Sequence, residues 1–292
     1  MTTDGIDIDV IIVNWNGGDS VLESARSSVE FGARAIVVDN GSSDGSPERI
    51  EGSLPNVRVV RMGRNAGFAA ACNRGAAEGD GEFIFLLNPD ASIVAGTPAA
   101  VQRAFAHRPG TTIVGPRVEA DDGSLSRSAR RFPTAVSLVL YQLKLHGLAR
   151  WIPPLRRYLM IDADFSQPML VDQPIGAAFI MRRCDWDRFG GMDEAYFLWF
   201  EEVDLAKRVS DAGGTALYWP EIGVRHTGGT SFSRLAPRLR QRIWNRSATR
   251  YADRHFGRIG AAAVRLTLPL ATTMNWAADR ARSMRADARS AR

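Results

Sequence analysis

Four short apolar runs, each followed by a stretch with helical spacing, narrow the folds open to this chain. They are VIIVNWN (10–16), RAIVVDN (34–40), NVRVVRM (56–62) and EFIFLLN (82–88). A strand with one wet face alternates apolar and polar residues, whereas runs that stay apolar are buried on both faces. The segments between them read as helices. Ser20 and Glu23 have capping-box spacing, Val21, Leu22, Ala25 and Val29 share one face, and Gly32 is the stop. In GSSDGSPER (41–49) a turn leads into a helix with Ser46 as cap and Pro47 at its first position. NAGFAAACNRGAAEG (65–79) is a helix of small residues. This alternation predicts an α/β fold around a parallel sheet covered on both sides.

Residues 120–170 are rich in Arg and Pro without a regular period, so an irregular insertion or lid is expected there. Strands resume at PIGAAFIMRR (174–183), TALYWP (215–220) and IGVRH (222–226). From Pro237 the period is helical. Leu239, Ile243, Trp244, Ala248, Tyr251 and Ala252 share one face, Arg242, Arg246, Arg250 and Arg254 the other, and Gly257 ends the helix. Residues 259–278 are apolar but interrupted by Arg265 and Pro269, which suits an interfacial helix rather than a spanning one.

Charge is unevenly divided. From Arg234 onward there are 14 Arg and 3 Asp, while the rest of the chain carries 23 basic and 29 acidic residues. The basic tail either meets an anionic surface or is a solvated face. A nucleic-acid-binding tail would interleave stacking aromatics with its arginines. Here the aromatics lie on the apolar face and the body is acidic, which argues against nucleic acid. Cys72 and Cys184 offer no disulfide framework and no metal spacing. With no signal-peptide pattern and no uncharged run of spanning length, a cytoplasmic setting is expected.

In open α/β sheets, ligands sit beyond the carboxyl ends of the strands. There the first strand ends in Asn14-Trp15-Asn16, the second in Asp39-Asn40 and the fourth in Asn88-Pro89-Asp90. Any one of these could simply start a turn. All three on one edge point to a ligand cleft. No G-x-G-x-x-G loop and no Walker motif follows the first strand, so backbone alone does not cradle phosphates. A second unusual stretch is YFLWFEEVDLAKRV (196–209), where a bulky apolar cluster runs into Glu201, Glu202 and Asp204.

VIIVNWN, VVDNGSSDGS, NAGFAAACNRG, LLNPD, GAAFIMRR, GGMDEAYFLWFEEVDLAKRV and VRHTGGTS stand in the order seen in family 2 glycosyltransferases, and the chain resembles that family from residue 8 to about 256. The likeness is greatest to rhamnosyltransferase-type members that build bacterial cell-surface glycans. It implies a GT-A fold, a Rossmann-like mixed sheet flanked by helices, here with a basic helical C-terminal appendage. It also implies a nucleoside-diphosphate sugar donor, dTDP-rhamnose or a UDP-sugar, a divalent metal, Mg or Mn, and inversion at the anomeric carbon. On this likeness residues 1–256 are the transferase domain and 257–292 the tail. Within the domain, 1–118 hold the donor, 119–169 are an insertion, and 170–236 face the acceptor.

Carried over by position, Val13 and Trp15 contact the nucleobase and Asp39 accepts from it, with Asn14, Asn16, Asn40, Ser42 and Asp44 nearby. Asn65, Gly67, Phe68 and Asn73 line the nucleoside and diphosphate side. Asp90 takes the metal position of the family's D-x-D signature, which reads Asn88-Pro89-Asp90 here and so carries one carboxylate. His226 matches a further metal ligand in some relatives; a structural hydrogen bond at a strand end is its other reading. A hard dication offsets the charge that develops on the leaving diphosphate. An inverting transfer needs one base to take the acceptor hydroxyl's proton. The resemblance places that base at Glu202, where relatives mostly carry Asp, and Glu201 or Asp204 could share the role. Aromatic surroundings and neighbouring acids raise a carboxyl's pKa. The first turn of a helix also favours acids through its dipole. Asp193 and Trp199 are expected on the acceptor side, against a glycan or lipid-linked acceptor at the membrane's inner face. A non-catalytic sugar-binding module of the same fold is the other functional reading.

Overall fold

The computed structural model describes residues 5–227 and 235–290, with side chains as far as Met274 in the last helix. The first half runs β1 (Ile8–Asn14), α1 (Ser20–Glu30), β2 (Arg34–Asp39), α2 (Ser46–Ser53), β3 (Arg58–Arg61), α3 (Phe68–Ala76), β4 (Phe83–Leu87), β5 (Ala91–Ala95), α4 (Pro98–His107) and β6 (Thr111–Glu119). Then come β7 (Leu125–Ser126), β8 (Ala129–Arg130), α5 (Ala135–Gln142), a 3₁₀ turn (Leu145–Leu148), α6 (Pro153–Tyr158), β9 (Met169–Val171), β10 (Gln173–Pro174) and β11 (Ala178–Arg182). The chain continues through α7 (Arg183–Phe189), α8 (Glu201–Asp211), β12 (Thr215–His226), α9 (Pro237–His255) and α10 (Gly257–Ser290).

One sheet of order β3-β2-β1-β4-β11-β6-β12-β5 organises these elements. Its first four strands are parallel, as the buried runs predict. The rest corrects the parallel expectation: β11 runs antiparallel to both β4 and β6, and β5 antiparallel to β12. An apolar run shows that a strand is covered on both faces and carries no information about its direction. The pleat sorts β1 into two cores. Ile8, Val10 and Ile12 pack with α1 and α4, and Ile11 and Val13 pack with α3, α7 and α8.

Several local expectations change. Ser20 turns back onto Gly17 O (2.8 Å), so α1 has no capping box. At α2 the cap is Gly45, at φ +73°, and Ser46 donates to Asp44 Oδ1 (2.6 Å) from inside the helix. The segment expected to be irregular holds α5 and α6. Thr134 and Ser137 form a reciprocal capping box that starts α5. Residues 91–119, which carried no expected element, fold as β5, α4 and β6, with Thr97 accepting from Ala100 N to start α4.

α5, α9 and α10 build a third core with the stretch before α8. Leu138, Tyr196, Phe200, Ala248, Tyr251 and Val264 meet there. α9 thus packs by the face expected of it, although Leu239 near its start stays exposed. Among the described residues no helix is long and apolar enough to cross a membrane.

Candidate active site

Register brings the polar strand ends together at one edge of the sheet. Asn14 and Asp39 are direct partners at the ends of β1 and β2. Ala91 pairs with His226 where β5 meets β12, and Thr227 N–H donates to Asp90 O (3.1 Å). Asp90 and His226 therefore meet although they lie far apart in the chain: His226 Nε2 is 3.1 Å from Asp90 Oδ1 and 3.4 Å from Asn88 Nδ2. One ring nitrogen cannot both donate to the carboxylate and accept from the amide.

Val13, Trp15, Asn40, Asn65, Gly67, Phe68, Asn88 and Asp90 line one cleft. Pro89, Phe197, Leu198 and Leu235 complete its wall. Phe197 and Leu198 were legible only as part of an apolar cluster. Their place follows from backbone: Phe68 N–H donates to Phe197 O (2.8 Å). Gly67 sits at φ +97°, and a Cβ there would lie 2.7 Å from that same oxygen. Only glycine fits such an approach.

The other residues expected on the donor side hold the loops around the cleft. Asn14 is fully buried; it accepts from Gly17 N (2.9 Å) and donates to Ser46 Oγ (2.8 Å). Asp39 accepts from Ser42 N (3.2 Å) and Ser42 Oγ from Asn16 N (2.9 Å), while Asn16 Oδ1 accepts from Ser43 N (2.7 Å). Asp44 accepts from Gly18 N, Ser46 N and Ser46 Oγ. Burial opposes its charge, but these donors outweigh it and hold the carboxyl below its ordinary value. Asn40 donates to Asn65 Oδ1 (3.1 Å) and Gly67 O (3.2 Å) and accepts from Ala66 N (2.8 Å). Asn73 lies away from the cleft wall and clamps the 192–194 loop, pairing both ways with the Met192 backbone and donating to Glu194.

The acidic cluster divides. Trp199 (φ +65°) and Phe200 (φ +72°) both take the left-handed conformation immediately before α8. Two consecutive non-glycine residues there store strain of order 1–3 kcal/mol each, the kind that persists where surroundings fix a functional geometry. Ser247 of α9 holds the turn by donating to Leu198 O (2.8 Å). Glu201 is buried, Glu202 is half-buried, and each has a buried Oε2 without a hydrogen-bond partner among the described residues. Burial pushes both carboxyls above their ordinary value, Glu201 well above, with the Glu202 charge adding to the effect on Glu201. Gly176 makes room for Glu202; a Cβ there would stand 3.2 Å from Oε1.

Asp204 faces away from this pair. Its carboxylate accepts from Arg208 Nε (2.9 Å), Arg254 Nη1 (3.2 Å), His255 Nε2 (2.8 Å) and Tyr196 Oη (3.4 Å). Burial opposes its charge, yet His255 and the two arginines outweigh it and hold the carboxyl below its ordinary value. Asp193 accepts from Arg250 and Arg254 of α9. Trp199 packs half-buried on the third core. Among the described residues no three metal-ligating side chains come together.

Comparison with known proteins decides the family. The profile of Glycosyl transferase family 2 matches residues 9–179. The chain belongs to glycosyl transferase family 2. A curated relative, the N-acetylglucosaminyl-diphospho-decaprenol L-rhamnosyltransferase of Mycobacterium tuberculosis, is 28% identical over 271 residues, covering 86% of this chain and 85% of the relative. Two solved structures share the fold. A mannosyltransferase from Pyrobaculum calidifontis, in complex with GDP-Man and Mn2+, superposes with TM-score 0.55 at 17% identity over 97% of this chain and 76% of that one. GalNAc-T7 with UDP, GalNAc and Mn2+ gives 0.58 at 16% identity over 86% of this chain and 51% of that one, so this chain spans about half of its length. This glycosyltransferase therefore has the GT-A fold. Its profile match takes in every cleft residue from Val13 to Asp90, while Glu201, Glu202 and His226 lie beyond it.

Proposed function

We propose that this enzyme transfers a sugar with inversion, rhamnose from dTDP-rhamnose, onto a lipid-linked or growing cell-surface glycan at the inner face of the plasma membrane. The observation that carries this reading is Glu202: an acid at the start of α8 whose Oε2 is buried without a partner, in a family 2 transferase. Such an oxygen suits a proton acceptor, since a raised pKa brings a carboxylate nearer the basicity that deprotonating a hydroxyl needs. Glu201 lies deeper, and burial together with the Glu202 charge pushes its carboxyl further above the ordinary value. Asp204, ion-paired to Arg208 of α8 and to Arg254 and His255 of α9, is assigned the part of holding α8 to α9.

On the donor side, Trp15 stacks on the base and Phe68 and Asn65 face the sugar diphosphate. Asp90 and His226 fit a divalent cation, their oxygen and nitrogen already 3.1 Å apart. Two protein ligands would leave positions for donor phosphate oxygens. When bound, the cation offsets the charge left on the departing diphosphate. The preference for rhamnose and a lipid-linked acceptor draws on the mycobacterial relative, a rhamnosyltransferase named for an N-acetylglucosaminyl-diphospho-decaprenol acceptor.

The test is rhamnosyl transfer from dTDP-rhamnose to an N-acetylglucosaminyl-diphospho-lipid, with anomeric configuration read by NMR. Wild type should give the inverted product. Glu202→Gln should lose about a thousandfold in rate with donor affinity unchanged. A Glu202→Gln enzyme at wild-type rate refutes the assignment of the base.

A further inference from the structure

Of the exposed large apolar side chains in the described residues, seven fall in two segments of the helical layer: Val136, Leu148 and Trp151 in one, and Ile259, Leu266, Leu270 and Met274 on α10 in the other. The α10 set recurs at helical spacing and lies on one side. At 100° per residue those four positions fall within about 80° of arc. The opposite side of α10 carries the buried Ala261, Val264 and Ala271, packed toward α5 and α9. The exposed face is not marginal: Ile259 is 89% and Leu266 80% exposed. Arg258 and Arg265 are exposed along one flank of the stripe, and Arg265 also pairs with Asp253.

The neighbouring segment has the same character. Gly260 abuts Ala135, and Gln142 donates to Val264 O and to Thr267, so α5 and α10 run parallel, side by side. Beyond α5 stands Trp151, 74% exposed, with the Arg150 guanidinium 5.4 Å over its ring. Apolar side chains edged by arginines, with a solvent-facing indole, have the composition of an interfacial anchor. The charge divide supports one occupant. The chain from Arg234 onward carries 14 Arg against 3 Asp, while the remainder is acidic. That end carries the net positive charge that an anionic surface attracts.

We infer that the outer face of α10, with the Arg150–Trp151 corner, docks the enzyme on an anionic lipid bilayer. α10 lies in the interface with Ile259, Leu266, Leu270 and Met274 toward the acyl chains and its arginines among the phosphates. Because α9 joins α10 to the Leu198–Phe200 turn through Ser247, docking there holds the acceptor side of the site near the membrane. That last consequence rests on the transferase reading above; the docking surface itself does not.

Vesicle sedimentation of the full chain tests it. Wild type should pellet with vesicles of equal parts phosphatidylglycerol and phosphatidylcholine, and should be released by high salt. It should remain in solution with pure phosphatidylcholine. Leu266→Glu/Leu270→Glu should lower the anionic-vesicle partition at least about tenfold, with an unchanged melting temperature and unchanged donor binding. Trp151→Ala should lower it less. Equal pelleting of wild type and the double variant overturns the proposal. So does a wild type that ignores anionic vesicles, or one that instead forms a dimer dissolved by the double variant, since a second copy would then cover the face. Donor titration separates the two readings: a protein that binds vesicles but no nucleotide sugar refutes the transferase and leaves the surface standing.

Discussion

Three carboxylates in four positions have opposite electrostatic fates. For Glu201 and Glu202 burial outweighs their backbone hydrogen bonds and raises the carboxyls, whereas Asp204 collects four side-chain donors. The stability consequences have opposite signs. A raised carboxyl contributes stability that is full below its unfolded value and is lost as pH rises through its folded value. Glu202→Gln should therefore raise the melting temperature at pH 8, by the equivalent of about 1 kcal/mol, in the variant that loses transfer. Scanning calorimetry checks this, and a lower melting temperature there would mean that Glu202 is paired in the folded state. Asp204 is held below its ordinary value, so its contribution is present above that value and is lost as pH falls through the folded one. Asp204→Asn should cost about 3 kcal/mol at pH 7 and less in strong acid, as read by urea melts. From the sequence Glu202 is the expected base, with Glu201 or Asp204 able to share the role. What separates them is α9, whose Arg254 and His255 arrive some fifty positions later, and no local pattern announces that contact.

At the scale of elements, the turn from Phe197 to Phe200 joins the two halves of the molecule. It lends its carbonyl to Phe68 N–H on the donor side and takes its support from Ser247 on α9. Gly67→Ala would drive a methyl into Phe197 O at a backbone angle that alanine resists. It should destabilise the fold by about 2 kcal/mol and weaken donor binding. A variant with wild-type stability and affinity would show that the turn adapts and is not the rigid joint described here. A second strong element lies at the far end of the sheet. Asp9, fully buried, accepts from Arg34 Nε (2.8 Å), Arg183 Nη2 (2.6 Å) and Gly81 N (2.8 Å). Asp9→Ala should cost about 3–5 kcal/mol, since it leaves Arg183 uncompensated, and should spare donor affinity in whatever fraction remains folded.

For the whole molecule, hydropathy period made the four parallel strands and the α9 face readable, because burial alone sets those patterns. Strand direction was not readable, which is why β11 and β5 turned a parallel expectation into a mixed sheet. The α5 segment hid behind its arginines; its signal, a Thr134–Ser137 capping box ahead of an apolar run, is short but present. The polar strand ends do gather around one cleft, yet most of those side chains lock loops. The cleft takes its wall from Trp15, Phe68 and Phe197 as much as from polar groups. The meeting of Asp90 with His226 depends on register alone, Ala91 opposite His226. That pairing carries the central claim, a donor site completed by cation and nucleotide sugar together. Calorimetric titration of dTDP-rhamnose and UDP-sugars, with and without Mn, into wild type and Asp90→Ala tests it most directly. The account predicts tight binding of dTDP-rhamnose that requires both Mn and Asp90. Binding indifferent to both, or no binding of any donor to the folded protein, would contradict it.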